Sequence, residues 1–350
     1  MNTIKSQGFL FSKHNRYDIL EKGKYFLNVF QRKVRIKMEN VKELIAKIQE
    51  NISGAVVGKE KSIELMLISL LAQGHVLIED VPGLGKTTLV SALARSIDCS
   101  FSRIQFTPDV LPGDVTGYTV ANLSSGERNV VFGAVMSQIV MADEINRTSP
   151  KTQSALLEVM QESQVTIDGV SYALPKPFIV LATQNPVSAI GTYPLPEAQL
   201  DRFMMKISLG YPTKVDEIEI LKRNVTGAPI DNISAVATAE DILSAIEMRK
   251  NIVCSPLVME YIVAISEATR KDERISLGIS TRGSLALMEA CRARALMYGK
   301  EYVTPDDVQA LAVPVLSHRL VLNRQKNTKL ETEEQIISSI VHQIRVPGAS

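Results

Sequence analysis

A glycine-rich segment with one lysine and two threonines, Val81-Pro-Gly-Leu-Gly-Lys-Thr-Thr88, has residue types and spacing suited to binding phosphate. It follows an apolar run over 75–78 and precedes a helical pattern with apolar positions at Leu89, Leu93 and Ile97. A glycine-rich turn between a strand and a helix lets successive backbone N–H groups point at an anion, and the helix dipole strengthens the attraction. The segment therefore predicts a P-loop.

The side chains in and around this segment have separate predicted roles. Lys86 would reach the β- and γ-phosphates of ATP, and the Thr87 hydroxyl would hold Mg²⁺. Asp80 occupies the first position of the pattern, where a P-loop has glycine. Upstream, Val56 and Val57 would either wall an adenine pocket or simply pack in the core. The predicted nucleotide-binding residues are Val57, Gly58, Pro82, Gly83, Leu84, Gly85, Lys86, Thr87 and Thr88.

Two acidic residues end a later apolar run, Ile139-Val-Met-Ala-Asp143-Glu144, and form a second candidate site. Ligands of open α/β sheets bind at the carboxyl ends of the strands. Asp143 would accept hydrogen bonds from the water shell of Mg²⁺, and Glu144 would orient and deprotonate the attacking water. Asn185 follows another apolar run, 178–182, and would either contact the γ-phosphate or cap the strand end.

The elements between these motifs must bring them to one edge of a sheet. Alternation predicts a short strand over 101–106, and the turn-rich stretch 107–134 predicts an irregular excursion. Ser149-Pro150 is typical of a helix start. The alternating pattern on both sides of Asp168-Gly169 predicts a β-hairpin over 164–174 with a type I′ turn.

Strand patterns are absent from Pro212 onward. Helical patterns replace them, over 213–224, 239–250, 256–270, 280–298 and 305–320. The sequence therefore predicts an α/β P-loop NTPase core, a parallel sheet sandwiched by helices, followed by an all-α lid domain. The expected divisions are a basic leader (1–37), the core (38–210), the lid (211–330) and a C-terminal helix or tail (331–350).

The charge of the chain is unevenly distributed. Residues 1–37 carry nine Lys/Arg against two Asp/Glu, whereas the remaining residues carry 30 against 36. A poorly ordered leader is the favoured interpretation of this segment, a basic amphipathic arm is the alternative, and Met38 is an alternative start. The net charge of +1 argues against wholesale nucleic-acid binding.

Other function classes find little support in the sequence. The three cysteines, Cys99, Cys254 and Cys291, are far apart, which indicates a reduced cytoplasmic protein without a disulfide framework or zinc site. No apolar run approaches the ~20 residues of a membrane span, so no integral membrane segment is expected. A His-Glu-x-x-His metalloprotease motif is absent from the sequence.

In this order, the motifs resemble the MoxR family of AAA+ ATPases, within the helix-2-insert clade. The resemblance covers about residues 38–325 and implies the AAA+ form of the core. It rests on Glu79-Asp-Val-Pro-Gly-Leu-Gly-Lys-Thr87, Asp143-Glu-Ile-Asn-Arg147, Gln153-Ser-Ala-Leu-Leu-Glu-Val-Met-Gln-Glu162, Ala182-Thr-Gln-Asn-Pro186 and Pro196-Glu-Ala-Gln-Leu-Asp-Arg-Phe203.

The resemblance implies roles for the residues already singled out. Lys86 and Thr87 correspond to the Walker A motif, and Asp143 and Glu144 correspond to Walker B. Asn185 falls on the sensor 1 position. These assignments agree with the roles inferred from the residue types alone.

The resemblance also implies functional arginines. Arg202 fits the arginine finger, which would act on the γ-phosphate of the neighbouring subunit, and Arg147 is the rival unless it pairs with a carboxylate of its own subunit. Arg282 falls on the sensor 2 position, with a solvated lid residue as the alternative. The excursion 107–134 corresponds to the helix-2 insert and 164–174 to the pre-sensor-1 hairpin.

The function implied by the resemblance is Mg²⁺-dependent ATP hydrolysis by a homo-oligomeric ring, expected to be a hexamer. Hydrolysis would be coupled to chaperone-like remodelling or maturation of a protein client, with a von Willebrand factor A-domain protein as the expected partner. One alternative is an ATP-binding scaffold with little turnover, against which Glu144 argues. Another is a DNA-stimulated motor of the wider clade, and the related magnesium-chelatase subunit is a more distant alternative. The hairpin 164–174 carries only Asp168 as a charge from Val165 to Leu174, so no specific nucleic acid is expected.

Overall fold

The computed structural model describes residues 38–121, 128–185, 191–225, 229–323 and 325–347. The predictions for the leader 1–37 lie outside these ranges. Two stretches, 122–127 within the predicted excursion and 186–190 after Asn185, lie outside them as well.

The described helices occupy most of the chain outside the sheet. They are α1 (38–55), α2 (Glu60–Leu71), α3 (Lys86–Ser96), α4 (Pro112–Thr116), α5 (Pro150–Glu162), α6 (Glu197–Leu200), α7 (Lys214–Val225), α8 (Ala239–Arg249), α9 (Pro256–Lys271), α10 (Thr281–Met297), α11 (Pro305–Leu316) and α12 (Glu333–Gln343). Short 3₁₀ turns occur at Ile145–Arg147, Pro229–Asn232 and Ser317–Arg319.

The strands are β1 (Val76–Glu79), β2 (Phe101–Gln105), β3 (Gly117–Ala121), β4 (Arg128–Phe132), β5 (Ile139–Asp143), β6 (Gln164–Ile167), β7 (Val170–Ala173), β8 (Ile179–Gln184), β9 (Met205–Ile207), β10 (Ile275–Leu277) and β11 (Val321–Leu322). Five of them form one sheet in the order β2-β5-β8-β1-β9, and every neighbouring pair is parallel. The carboxyl ends of β1, β5 and β8 therefore share one edge of the sheet. The predicted parallel α/β core is confirmed.

The central strands β1, β5 and β8 are buried on both faces over almost their whole length, because each face packs against helices. Alternate residues go to two different cores. Val76 and Ile78 of β1 belong to a large cluster that also contains the helices after β9, whereas Leu77 belongs to a cluster under α5 and the β6–β7 hairpin. The first cluster runs without interruption from the sheet into the helical region. The division into two domains near Gly210 therefore remains a proposal.

Local signals explain where several elements begin and turn. The Ser149 side chain accepts a hydrogen bond from the Thr152 N–H, and Pro150 occupies the first turn of α5. Asp168 and Gly169 have φ angles of 49° and 81°, as a type I′ turn between β6 and β7 requires. The predicted helix start and hairpin are both confirmed.

Two predictions about secondary structure were wrong. The stretch 107–134 is not irregular, because it contains α4 and the antiparallel pair β3–β4. Although turn residues are frequent in this stretch, it contains β3 and β4, which have five residues each. Strands also continue after Pro212, since β10 pairs with β11 in antiparallel orientation. These strands of three and two residues are too short to give a periodic pattern.

The predicted helix 305–320 ends earlier than expected, at Leu316. A 3₁₀ turn, Ser317–Arg319, follows it and directs His318 and Arg319 into the protein. Within the described ranges, no helix combines the length and apolar character that crossing a bilayer requires.

Candidate functional site

The predicted P-loop lies at the carboxyl edge of the sheet, between β1 and α3. Gly83 and Gly85 have φ angles of 87° and 82°, in the left-handed region that side chains other than glycine rarely adopt. The Lys86 Nζ donates a hydrogen bond to the main-chain oxygen of Asp80 at 2.8 Å. The lysine side chain thus bends back along its own loop.

A cavity of about 280 Å³ adjoins the P-loop. Its walls include Val56 and Val57 from the upstream segment and Ile220 from α7. Val56 is also largely buried in the core, as one of its two interpretations predicted, whereas its contact with adenine stays a prediction. An apolar pocket beside a phosphate-binding loop fits a flat base such as adenine. Among the predicted nucleotide-binding residues, those that line the cavity are Val57, Gly83, Leu84, Gly85 and Thr88.

The other predicted nucleotide-binding residues lie next to this cavity in sequence. Pro82, Lys86 and Thr87 belong to the same loop and helix start. Gly58 has a φ angle of 69°, and a Cβ atom at this position would lie 2.6 Å from the Asp216 carboxyl carbon. The backbone conformation therefore favours glycine at position 58, and any side chain there would also displace the Asp216 carboxylate.

Both carboxylate oxygens of Asp143 have partners. Arg103 on β2 donates from Nη2 to Oδ2 at 2.6 Å, and the buried Thr183 hydroxyl on β8 donates to Oδ1 at 2.6 Å. These contacts fix the carboxylate at the end of β5. A bound Mg²⁺ ion keeps several waters and needs one or two protein carboxylates, so a held carboxylate and the Thr87 hydroxyl fit this ion. Among the described residues, no group of three or more His, Cys, Asp or Glu side chains could hold a metal ion.

Glu144 is held in a specific conformation beside Asp143. Its backbone is left-handed, with a φ angle of 56°, and its N–H donates to the Thr183 Oγ1 at 2.8 Å. Its carboxylate accepts from the Gln105 Nε2 at 3.1 Å and pairs with the Arg147 Nε at 3.2 Å. Thr183 therefore orients both acidic residues. Its hydroxyl proton is donated to Asp143, and its hydroxyl oxygen accepts from the Glu144 N–H.

Arg147 pairs with the carboxylate of its own subunit, which is the alternative left open for this residue. Asn185 follows β8 at the same sheet edge, and its main-chain oxygen accepts a hydrogen bond from the Asn146 Nδ2 at 3.3 Å. The contact of its side chain with a γ-phosphate stays a prediction.

Arg202 and Arg282 do not lie at the carboxyl edge of the sheet. They line one cleft of about 290 Å³ together with the 72–75 segment, which precedes the amino end of β1. The Met204 N–H donates to the His75 oxygen at 2.8 Å, so the turn carrying Arg202 is fixed at that edge. Neither side chain lines the cavity beside the P-loop. Arg282 does not contact the P-loop of its own subunit in this arrangement, although the sensor 2 assignment would suggest such a contact.

Asp80 has a structural role that the P-loop pattern did not predict. Its buried carboxylate accepts hydrogen bonds from the Ser208 hydroxyl at 2.8 Å and from the main-chain N–H of Leu209. The Lys59 Nζ donates to the main-chain oxygens of Leu209 and Gly210, each at 2.8 Å. The segment 208–210 between the sheet and the helices is thus held by two buried charged groups, the Asp80 carboxylate and the Lys59 ammonium group.

Sequence reasoning missed several residues that contact the acidic pair. They are Arg103, Gln105 and Thr183. The first two occupy alternate positions of β2 and project from one face beside Asp143. A pair of polar residues at period two in a strand adjacent to the acidic strand was the available signal.

Comparisons with known proteins agree with this geometry. The sequence model of the "ATPase family associated with various cellular activities (AAA)" matches residues 75–205, and that of the "AAA lid domain" matches 267–340. The chain is 47% identical over 309 residues to the uncharacterized protein YeaC of Bacillus subtilis, covering 88% of this chain and 97% of that protein. It is 40% identical over 301 residues to the chaperone MoxR1 of Mycobacterium tuberculosis, covering 83% and 79%.

A solved structure shows the same architecture. The crystal structure of a "putative ATPase" from Cytophaga hutchinsonii superposes with a TM-score of 0.84 and 38% sequence identity. The match covers 90% of this chain and 98% of that one.

Proposed function

Because the chain belongs to the MoxR family of AAA+ ATPases, we propose that it hydrolyses ATP in a ring of identical subunits and uses the cycle to remodel a protein client. The proposal takes ATP as the substrate and Mg²⁺ as the cofactor. The observation that carries it is the meeting of the P-loop and the Asp143–Glu144 pair at one edge of a parallel sheet.

Each residue at this edge has a role in the proposed reaction. The loop 81–85 would bind the phosphates through its N–H groups, with Lys86 leaving the Asp80 oxygen for the β- and γ-phosphates. Bound Mg²⁺ would neutralise charge on the phosphates, held by Thr87 and Asp143. Glu144 would take a proton from the attacking water, and Asn185 would orient the γ-phosphate.

The glutamate must move before it can act. Its carboxylate is engaged by Gln105 and Arg147. Both contacts are made to the same carboxylate oxygen, Oε2, so they compete with the attacking water for this oxygen. We infer that nucleotide and neighbouring subunit release these contacts, so that Glu144 becomes available only in the assembled ring.

The position of the arginines also supports assembly. Arg202 lies beyond the amino end of β9, and the P-loop lies beyond the carboxyl end of β1, which is parallel to β9. A four-residue strand spans about 13 Å, so Arg202 and its own P-loop occupy opposite edges. Arg202 and Arg282 would therefore complete the ATP site of a neighbour, where an arginine supplied in trans stabilises transition-state charge.

The client role rests on the two hairpins. Tyr118, Val120 and Val131 share one face of the β3–β4 pair and are exposed. Phe132 lies on the other face, where it contacts Tyr172 of β7 at 5.1 Å between ring centroids. An exposed apolar patch of this kind marks a protein-interaction surface. We propose that it contacts the client, with a von Willebrand factor A-domain protein as the expected partner and a hexamer as the expected ring.

ATP turnover per subunit, measured against protein concentration, tests the hydrolysis proposal. We expect the rate per subunit to rise steeply as rings assemble. Glu144→Gln should reduce turnover at least 100-fold while retaining bound ATP, because the general base is lost and the P-loop is not. A rate per subunit that is independent of concentration would contradict catalysis across subunits. Bound ATP without turnover in the wild type would instead support a scaffold.

A further inference from the structure

The lid residue Arg319 contacts the turn that carries Arg202. It lies in the 3₁₀ turn after α11, and its side chain is 3% exposed. Its Nε donates to the Asp201 Oδ1 at 2.7 Å, and its Nη2 donates to the main-chain oxygen of Phe203 at 2.7 Å. A buried guanidinium from the helical region is thus bonded to residues on both sides of Arg202.

All five N–H groups of this guanidinium have acceptors. Besides the two bonds above, Nη2 donates to the Asp201 oxygen at 3.4 Å, and Nη1 donates to the Met204 oxygen at 3.2 Å and to the Val315 oxygen. The neighbouring His318 Nε2 lies 3.1 Å from the Phe203 oxygen. A lysine has three donors on a single atom and could not satisfy five acceptors in a fixed plane.

The same cluster reaches the helix that carries Arg282. The Ser280 side chain caps α10 and lies 3.5 Å from the second carboxylate oxygen of Asp201. A Cβ atom on Gly283 would lie 3.1 Å from the Arg319 Cδ, so α10 packs directly on the arginine. Asp201 and Arg319 therefore join the turn before β9 to the start of α10.

Arg202 and Arg282, which lie beside this cluster, have no ion-pair partner among the described residues. Arg202 and Arg282 line one cleft with Arg319, and the charge of Arg282 adds to burial in lowering the pKa of Arg319, which Asp201 opposes. Several guanidinium groups close together repel one another. The carboxylates that line this cleft, Asp201 and Glu289, already pair with other arginines, so an anion for Arg202 and Arg282 would come from outside the subunit.

We propose that Arg319 is a positioning residue that holds Arg202 and Arg282 as one rigid pair for the phosphates of the neighbouring subunit's ATP. This inference rests on the proposed function. Because Arg319 belongs to the lid and Arg202 to the sheet side, any lid movement that shifts Arg319 also shifts the pair. The lid of one subunit would thereby control hydrolysis in the next.

Mixed rings test this role, since it predicts a defect that a neighbour can repair. Arg319→Gln alone should lower kcat about 100-fold, the scale expected for a misplaced catalytic group, with nucleotide affinity unchanged within 3-fold. Lys86→Ala keeps its arginines but loses the P-loop lysine. When it is mixed with Arg319→Gln, the turnover should exceed the sum of the turnovers of the two separate variants. The Arg202→Ala and Lys86→Ala mixture is the reference for complementation.

The outcomes separate the inference from the proposed function. If Arg202→Ala is complemented and Arg319→Gln is not, the positioning role is wrong while catalysis in trans stands. Wild-type turnover of Arg319→Gln would also overturn the role. If neither mixture regains activity, catalysis in trans fails and the inference falls with it.

Two further variants keep the test interpretable. Should Arg319→Gln not fold, Arg319→Lys retains the charge beside Asp201 and should show the same complementable loss to a smaller degree. Arg274→Gln is the matched control, because Arg274 pairs with Asp272 and Glu331 within the helical region and does not contact the 201–204 turn. It should leave turnover unchanged; if it shows the same complementable loss, the positioning role of Arg319 is overturned.

Discussion

Arg202 and Arg282 line the same cleft at the amino edge of the sheet, whereas the P-loop of their own subunit lies at the carboxyl edge. One arginine precedes β9 and the other begins α10, so they come from elements 80 residues apart in the chain. Under the proposed function, each subunit would have two separate surfaces, one that binds nucleotide and one that presents arginines. Such a subunit would join head to tail, and a head-to-tail interface closes into a ring when its rotation permits.

Replacing Arg202 should separate catalysis from binding. Arg202→Ala is expected to lower ATP turnover by about 10³ or more, the range observed for arginines supplied in trans. Nucleotide affinity and ring formation should persist, because the P-loop and its cavity do not include this residue. Steady-state turnover, nucleotide titration and light scattering measure the three properties. Full turnover in an assembled ring would show that Arg202 is not the finger.

Arg147 should behave differently, because it pairs with Glu144 of its own subunit. Arg147→Ala removes a cation from the general base within the same active site. The change in ATP turnover caused by Arg147→Ala should therefore persist when the variant is mixed with Lys86→Ala. The loss of turnover caused by Arg202→Ala is expected to be complemented in the same mixture. Recovery of Arg147→Ala activity in mixed rings would identify Arg147 as a residue that acts in trans.

Asp80 is expected to matter for stability although a P-loop usually has glycine there. Its buried carboxylate accepts from Ser208 and Leu209. Asp80→Ala leaves these donors without an acceptor, which should reduce the free energy of unfolding by about 1–3 kcal/mol. Urea unfolding monitored by circular dichroism measures this quantity. Asp109→Ala, at a fully exposed aspartate, is the control. Equal stability of the two variants would exclude a structural role for Asp80.

Local sequence signals were sufficient for the parts of the site that lie within one element. The P-loop, the acidic pair at the end of β5 and the β6–β7 turn each depend on neighbouring residues. Contacts between elements were not predictable in this way. Arg103 meets Asp143 across 40 positions and Arg319 meets Asp201 across 118, and both depend on strand register or helix packing.

Short elements were the other source of error. Strands β10 and β11, of three and two residues, contain too few positions for alternation to be recognised. The 3₁₀ turn after α11 continues an apolar helical pattern, so the sequence did not indicate that His318 and Arg319 point inward. For this reason, the sequence pattern did not predict the residues that join the lid to the 201–204 turn.

The buried His75 should make stability depend on pH. Its Nε2 lies 3.0 Å from the Met160 oxygen, and its Nδ1 accepts from the Val180 N–H at 3.0 Å, so only the neutral ring satisfies both bonds. Burial, opposed by the bond to Met160, lowers the pKa of His75 from 6.5 to about 4. The stability due to the neutral ring is complete above pH 6.5 and is lost as the pH falls towards 4, because the unfolded state binds the proton first.

This shift corresponds to a loss of about 2 kcal/mol in the free energy of unfolding between pH 7 and pH 5. Urea unfolding at intervals of half a pH unit measures it. His75→Gln keeps a donor and an acceptor but cannot titrate, so the variant should have a flatter profile by that amount while remaining less stable than the wild type at pH 7.5. Parallel profiles for the two proteins would mean that His75 is not the titrating group, and the buried His318 would be the next residue to substitute.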